Sequence, residues 1–215
     1  MMDVRLKCPF TLLLSGPSSC GKTTFVCDLL ESGLFDTDIR DIIVCYSEWQ
    51  PLYDKLKLLG CRFVEGLINP DELDPRQPHL VILDDLMDTK GDHRIEQFFT
   101  RTSHHRNCCV IYIVQNLFSQ GPTHRTCSLN AHYICLFPSP RDVTQIRTLE
   151  QQMFPGKKRF LVDSYFDACQ KPYHHLFIDL KADTPSHLRV RGNILNPHGQ
   201  AVYLPKDFKW SPSTD

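Results

Sequence analysis

The feature that most constrains this chain is the glycine-rich segment at residues 16–23, with the sequence GPSSCGKT. It is a complete G-x-x-x-x-G-K-[ST] phosphate loop. The apolar run 10–15 before it has the length of a buried strand, and residues 24–30 after it place apolar side chains at helical spacing. A strand, a glycine-rich loop and a helix in this order predict a site for the phosphates of a nucleotide.

The residue types in the loop suit phosphate binding. Gly16 and Gly21 let the backbone wrap around the phosphates, so that N–H groups of the loop and of the following helix point at negative charge. Lys22 is expected to contact the β- and γ-phosphates, and the Thr23 hydroxyl to bind Mg²⁺. Cys20 is interpreted as a tolerated small side chain rather than a nucleophile. The predicted nucleotide-binding residues are Gly16, Pro17, Ser18, Ser19, Cys20, Gly21, Lys22, Thr23 and Thr24.

A second buried strand is followed directly by two carboxylates. Residues 79–83 are HLVIL, and Asp84 and Asp85 come next. Two acids at the end of a buried strand are costly unless they meet a cation or take part in chemistry, and ligands of open α/β sheets bind at the carboxyl ends of strands. Asp84 is therefore a candidate Mg²⁺ ligand, and Asp85 is the candidate that polarises the attacking water. A solvated turn after a strand is the alternative.

The most apolar run of the chain, residues 108–114, ends in Gln115 and Asn116. An amide at the tip of a central strand is placed to sense the γ-phosphate or the attacking water, and Gln115 is the candidate. Since Asn and Gln also serve local turns, a strand-terminal cap is the alternative.

Strands and helices alternate along the chain after the phosphate loop. Together they predict an α/β fold in three layers, with a mainly parallel central sheet and helices on both faces. Residues 69–75 contain two prolines and are expected to be irregular, and residues 117–129 are expected to be a long connection. The predicted division is a core at 1–155 and a small C-terminal extension of helix and strands at 156–215, packed on the core. Further strands are predicted at 42–46, 61–64, 131–137, 175–180 and 201–204, and helices at 51–59, 93–103 and 141–153.

Composition narrows the classes of protein. The formal net charge of −1 gives no global attraction to nucleic acid, so any such binding needs local patches. Residues 1–7 lack a signal-peptide layout and no run approaches 18 apolar residues, so we expect a soluble intracellular protein. The ten cysteines include no C-x-x-C pair and are predicted to be reduced and mostly buried. Zinc held by His104, His105, Cys108 and Cys109 is disfavoured, because neighbouring strand residues point to opposite faces.

Four segments taken together resemble a known family. They are GPSSCGKT, HLVILDDL, SHHRNCCVIYIVQNLF and SLNAHYICLFPSPRDVTQI, and the resemblance spans about residues 9–155. The set is similar to poxvirus-type genome-packaging ATPases of the FtsK–HerA class, and most similar to the versions carried by Polinton/Maverick elements and related eukaryotic DNA viruses. The phosphate loop alone occurs in many families of nucleotide hydrolases. The resemblance to this family depends more on the strand that ends in Gln115 and Asn116 and on the segments that follow it. The resemblance implies the additional-strand, RecA/FtsK-like P-loop NTPase fold.

The resemblance also implies a function. The expected protein is an ATPase that moves viral or transposon double-stranded DNA into a capsid, with ATP on the phosphate loop, Mg²⁺ on Thr23 and Asp84, Asp85 as the second Walker B acid and Gln115 as the γ-phosphate sensor. The wider class usually has Glu at the second acid, so Asp85 is a departure. Implied partners are double-stranded DNA, copies of the same chain in a hexameric or pentameric ring, and a capsid or portal protein, with no membrane. The implied location is the nucleus or a viral assembly site, with association with the virion as a further expectation.

The resemblance further implies an arginine supplied to the site of the neighbouring subunit. Arg106, just before the strand at 108–114, is the first candidate and is expected near the nucleotide side of the sheet; Arg101 is the second. Contacts with DNA are expected from Phe118, Arg125 and the basic cluster 157–159, although three consecutive basic residues are more often a solvated helix end.

Three other functions compete. A nucleotide kinase would share the phosphate loop, but it needs an arginine-rich lid, and two acids followed by an amide on the next strand suit hydrolysis better. A GTPase is suggested by the TKGD sequence at 89–92, but this segment directly follows the acids, and residue 87 is Met where a D-x-x-G motif needs Gly. A domesticated, regulatory nucleotide-binding module is the third, although intact Lys22, Thr23, Asp84 and Asp85 argue against decay.

Overall fold

The computed structural model describes residues 4–84, 86, 92–117, 122–196 and 199–209. Within these ranges nine strands form one sheet. The strands are β1 (Thr11–Ser15), β2 (Asp41–Tyr46), β3 (Arg62–Glu65), β4 (His79–Asp84), β5 (Cys108–Val114), β6 (Tyr133–Leu136), β7 (Leu176–Asp179), β8 (Val190–Gly192) and β9 (Ala201–Val202). Their order across the sheet is β3-β2-β4-β5-β1-β6-β7-β8-β9.

Helices connect the strands and cover both faces of the sheet. They are α1 (Lys22–Ser32), α2 (Tyr53–Leu58), α3 (His93–Gln97), α4 (Ser103–His105), α5 (Pro122–Leu129), α6 (Val143–Met153) and α7 (Phe160–Ala168). A π-helical turn, Phe98–Thr102, joins α3 to α4, and short 3₁₀ turns lie at Pro70–Glu72 and Ser186–Leu188.

The six strands from β3 to β6 are parallel to their neighbours. β1, β4 and β5 are buried at every position, as expected for parallel strands covered on both faces. One core contains apolar residues of α1 and α2, and the other contains those of α3, α6 and α7. The predicted α/β fold with a mainly parallel central sheet is therefore confirmed.

The C-terminal residues extend this same sheet. β7 pairs antiparallel with β6, and β8 and β9 continue antiparallel beyond it. Leu161 and Tyr165 of α7 are buried in the core that also contains residues of β5 and α6. The domain boundary at residue 155 remains a prediction.

The structure differs from the sequence-based expectation at three places. The segment expected to be a long connection contains α5, which begins at Pro122; proline suits the first helical turn, where its missing N–H is not needed. The proline-rich segment expected to be irregular forms one 3₁₀ turn, because Asn69 caps it by accepting the N–H of Asp71. The short strand β8 was not predicted.

All ten cysteines lie within the described residues and are free thiols, seven of them buried. Cys108 and Cys109 belong to cores on opposite faces of the sheet, as alternation along a strand requires. Among the described residues, no group of three or more His, Cys, Asp and Glu side chains is arranged to hold a metal ion. The same residues include no helix with the length and apolar character needed to span a membrane.

Candidate nucleotide-binding site

The phosphate loop leaves the sheet between β5 and β6, where β1 ends at Ser15, and enters α1 at Lys22. Gly21 precedes the helix with φ of +102°, a backbone conformation that L side chains rarely adopt. At Gly16 an added Cβ would lie 2.7 Å from both the Cβ of Phe137 and the Sγ of Cys20. Both glycines are therefore needed for the path that the loop follows.

The ammonium group of Lys22 is held inside the loop. Its Nζ donates hydrogen bonds to the carbonyl oxygens of Gly16, at 2.5 Å, and Pro17, at 2.8 Å, and the residue is 8% exposed. A single positive charge is thus fixed against the backbone that would surround the phosphates. Burial raises the pKa of the Cys20 thiol although the neighbouring Lys22 lowers it, so the thiol is protonated at neutral pH, which agrees with its interpretation as a non-nucleophilic residue.

The first predicted acid faces the loop. Asp84 is the last residue of β4 and is 3% exposed, and its Oδ2 accepts a hydrogen bond of 3.5 Å from the hydroxyl of Thr23. A hydroxyl and a carboxylate are the hard oxygen donors that Mg²⁺ prefers, so the two residues predicted to hold Mg²⁺ suit it chemically. Asp85 lies outside the described residues.

Asp84 has a second hydrogen-bond donor that was not predicted from the sequence. The hydroxyl of Tyr53, the first residue of α2, donates a 2.9 Å hydrogen bond to Oδ2 of Asp84. Tyr53 is completely buried, and its ring packs against Tyr46 and Phe63. Aromatic residues recur along 46–63, but this pattern indicates packing and does not indicate which hydroxyl meets an acid 31 positions away.

We expect Tyr53→Phe to lower ATP hydrolysis about ten-fold and to raise the Mg²⁺ concentration that gives half-maximal rate. The change removes a hydrogen bond to a charged group, worth about 1.5–3 kcal/mol, and leaves the Asp84 carboxylate less firmly oriented. Magnesium titrations of the steady-state rate measure both effects. Tyr46→Phe is the matched control, since within the described residues the Tyr46 hydroxyl makes no hydrogen bond. A wild-type magnesium profile in Tyr53→Phe would show that the hydroxyl does not position Asp84.

Gln115 follows β5, which lies between β1 and β4 in the sheet. Its exposed side chain borders the same cleft as Lys22 and Asp84, which has a volume of about 470 Å³. The cleft thus brings together the loop, the acid and the amide, while the role of each residue stays a prediction. Its other lining residues include Ser18, Ser19, Gly21, Thr23, Thr24, Gln50, Leu52 and Tyr173.

The expected position of Arg106 was wrong. Arg106 lies two residues before β5, at the amino end of the strand, whereas the cleft lies at the carboxyl end of the same strand. A seven-residue strand separates the two by on the order of 20 Å. The guanidinium binds Asp71 at 2.9 Å and the carbonyl oxygens of Asp71 and Leu73. Arg106 therefore has no contact with the phosphate loop of its own chain.

Some of the residues predicted to contact DNA form ion pairs within the chain. Lys157 forms an ion pair with Asp207, and Arg159 forms one with Asp163 at 2.9 Å. Arg125 is exposed on α5, and Phe118 lies outside the described residues. Two of the three charges in the basic cluster 157–159 thus have acidic partners within the chain.

Asp92 is the one described residue of segment 89–92, which superficially matches a guanine-specificity motif. Asp92 caps α3 by accepting the N–H of Arg94 and also pairs with the Arg94 guanidinium at 2.7 Å. Residues 89–91 lie outside the described ranges. Since its carboxylate is engaged at the start of a helix, Asp92 is not placed to read a base.

Solved structures with the same fold were found by comparison of the coordinates. The genome-packaging NTPase B204 of Sulfolobus turreted icosahedral virus 2, in complex with sulfate, is 14% identical with a TM-score of 0.54, over 91% of this chain and 96% of that one. The DNA-packaging ATPase B204 of Sulfolobus turreted icosahedral virus is 11% identical with a TM-score of 0.55, over 91% and 97%. No protein-family model matches the sequence, and no curated protein does. At these identities the likeness shows the shared fold.

Proposed function

We propose that this protein is an ATP-hydrolysing motor that packages double-stranded DNA into a capsid, in the manner of the poxvirus-type and Polinton/Maverick enzymes of the FtsK–HerA class. The observation that carries the proposal is the convergence of Lys22, Thr23, Asp84 and Gln115 on one cleft. Two proteins that share the fold are described as a genome-packaging NTPase and a DNA-packaging ATPase. The proposed setting is a ring of five or six copies at a capsid or portal during viral assembly.

Each group of the cleft has a distinct role in this proposal. The N–H groups of the loop and the ammonium of Lys22 hold the β- and γ-phosphates, and Thr23 and Asp84 would hold Mg²⁺. Bound Mg²⁺ supplies positive charge that offsets the charge of the phosphates. Gln115 senses the γ-phosphate, and Asp85 polarises the attacking water. Tyr53 keeps the Asp84 carboxylate in place through its own hydrogen bond.

The experiment that tests the proposed function is the steady-state ATPase rate with and without duplex DNA. A packaging motor should be stimulated by duplexes of any sequence, and the stimulation should fall steeply with salt because the contacts are to phosphates. Stimulation confined to one base sequence would contradict the motor, and transfer of the γ-phosphate to a small acceptor in place of water would indicate a kinase.

Two arginines near the amino end of β5 support a role between subunits. Arg101, His105 and Arg106 border a cavity of about 200 Å³, next to the π-helical turn. In a closed ring each subunit presents one surface patch to a different patch of the next subunit, so an edge far from its own cleft can face the neighbour's cleft. Arg106 is held by Asp71, whereas Arg101 is exposed and has no ion pair in the part of the chain that the structure describes. We therefore propose Arg101 as the first arginine to test, with Arg106 as the second.

We expect Arg101→Ala and Asp84→Asn each to be nearly inactive alone and to regain activity when mixed. An arginine supplied to the neighbour contributes about 10³–10⁵ in rate, and a mixed interface can pair an intact Asp84 with an intact Arg101. The measurement is the ATPase rate of rings shown to contain both variants. Arg147→Ala, which alters an exposed arginine on α6, is the control and should need no partner. If mixing restores activity to Arg106→Ala but not to Arg101→Ala, the trans role belongs to Arg106; recovery with neither excludes both.

A further inference from the structure

A second cavity, of about 360 Å³, adjoins the phosphate cleft. Gly21, Thr24 and Tyr173 line both cavities, so the two spaces meet along the outer side of the loop and the first turn of α1. The other walls come from the C-terminal segments 171–175 and 193–196 and from α1. Sequence reasoning gave these C-terminal segments no role.

The arrangement of groups sets the direction of a bound nucleotide. Asp84 and Gln115 line the phosphate cleft but not the second cavity. A γ-phosphate placed between them leaves the α-phosphate and the sugar nearer the shared boundary at Thr24. The base then lies in the second cavity, beyond Gly21.

Tyr173 stands at the boundary and is 65% exposed. Its backbone has φ of +65°, a left-handed conformation that is uncommon for a residue other than glycine. Its ring lies against Gly21, since a Cβ added to Gly21 would be 2.7 Å from the Cδ1 atom of the tyrosine. An exposed aromatic ring beside a phosphate loop offers a stacking surface for a planar base, and every base has a face that can stack on it.

The two C-terminal segments are anchored to each other and to α1 through His175. The backbone N–H of His175 donates to Oδ1 of Asn193 at 3.0 Å, and its Nε2 accepts the N–H of Ile194 at 3.2 Å. The buried imidazole packs edge-on against Phe25 of α1, with ring centroids 4.8 Å apart. The second cavity therefore has walls that are fixed before any ligand arrives, which favours binding.

We propose that the base of the bound nucleoside triphosphate stacks on Tyr173, in a pocket that segments 171–175 and 193–196 build on the outer side of the phosphate loop. The inference rests on the proposed function, because it extends the same nucleotide site. It also gives the C-terminal segments a role, since they complete the nucleotide site in addition to extending the sheet.

The test compares the binding of ATP with that of inorganic tripolyphosphate, which has the phosphates and no base, by titration calorimetry. Tyr173→Leu should weaken ATP binding about ten-fold, within the range found when a stacking aromatic is removed, and leave tripolyphosphate binding within about two-fold. Tyr173→Phe keeps the ring and should bind ATP as the wild type does. Trp49→Leu alters an exposed aromatic next in sequence to Gln50, which lines the phosphate cleft but not the second cavity, and should bind ATP as the wild type does.

Each other result overturns the inference. If Tyr173→Leu weakens both ligands equally, the ring supports the loop and not the base; if it weakens neither, the base does not stack there. A selective loss of ATP binding in Trp49→Leu would place the base near Trp49 and not on Tyr173. Lys22→Ala should bind neither ATP nor tripolyphosphate. If the wild-type protein also binds neither ligand, the proposed function itself is contradicted.

Discussion

Lys22→Ala is expected to abolish ATP hydrolysis, with a loss of at least about 10²–10³-fold, and to weaken ATP binding. Charge that develops on the phosphates during transfer must be balanced by groups already fixed in place, and removal of one such group costs about this much. In this protein the ammonium is nearly buried and bonded to the carbonyl oxygens of Gly16 and Pro17. No other Lys or Arg of the described residues borders the cleft.

The measurement is steady-state ATPase rate together with ATP affinity, on protein shown to be folded by its thermal unfolding transition. Folding must be checked because the substitution also leaves two loop carbonyls without a donor, at about 1–3 kcal/mol each if they become buried and unpaired. Lys57→Ala, which removes an exposed lysine of α2, is the control and should retain wild-type rate. Turnover near the wild-type level in Lys22→Ala would remove the phosphate loop from the reaction.

Asp84→Asn is expected to lower ATP hydrolysis by about 10²-fold or more and to weaken the binding of Mg²⁺-ATP. The amide has the same shape as the carboxylate and can still accept the Tyr53 hydroxyl with its oxygen, but it carries no negative charge to offer a divalent cation. Binding of ATP in the absence of Mg²⁺ should therefore change little, which separates a loss of metal binding from a loss of fold.

Calorimetric titration with ATP, with and without Mg²⁺, measures this difference. Asp54→Asn alters an exposed acid in the first turn of α2 and is the matched control. Asp85→Asn, by contrast, should still bind Mg²⁺-ATP and fail to cleave it, if Asp85 accepts the proton of the attacking water. An Asp84→Asn variant with normal magnesium dependence would place the metal on other residues.

Chain order and local chemistry were enough to predict the phosphate loop, the cleft beside it and the fold class. The phosphate loop was predictable because its parts are adjacent in sequence, and the glycines and the lysine are required by the backbone path and by charge. That Asp84 and Gln115 meet at one cleft followed from the parallel sheet, since the carboxyl ends of parallel strands lie at the same edge. The alternation of strands and helices along the chain predicted the α/β class.

The tertiary structure decided which distant residues meet. The hydrogen bond from Tyr53 to Asp84 joins residues 31 positions apart, and Tyr173 meets Gly21 from the other end of the chain, so neither contact leaves a local pattern in the sequence. The position of Arg106, by contrast, could have been predicted from chain order: Arg106 precedes the strand that Gln115 follows, so the two residues lie at opposite ends of that strand. Periodicity and spacing record the requirements of one element, whereas contacts between elements depend on how their side chains pack, and packing is a property of the folded chain.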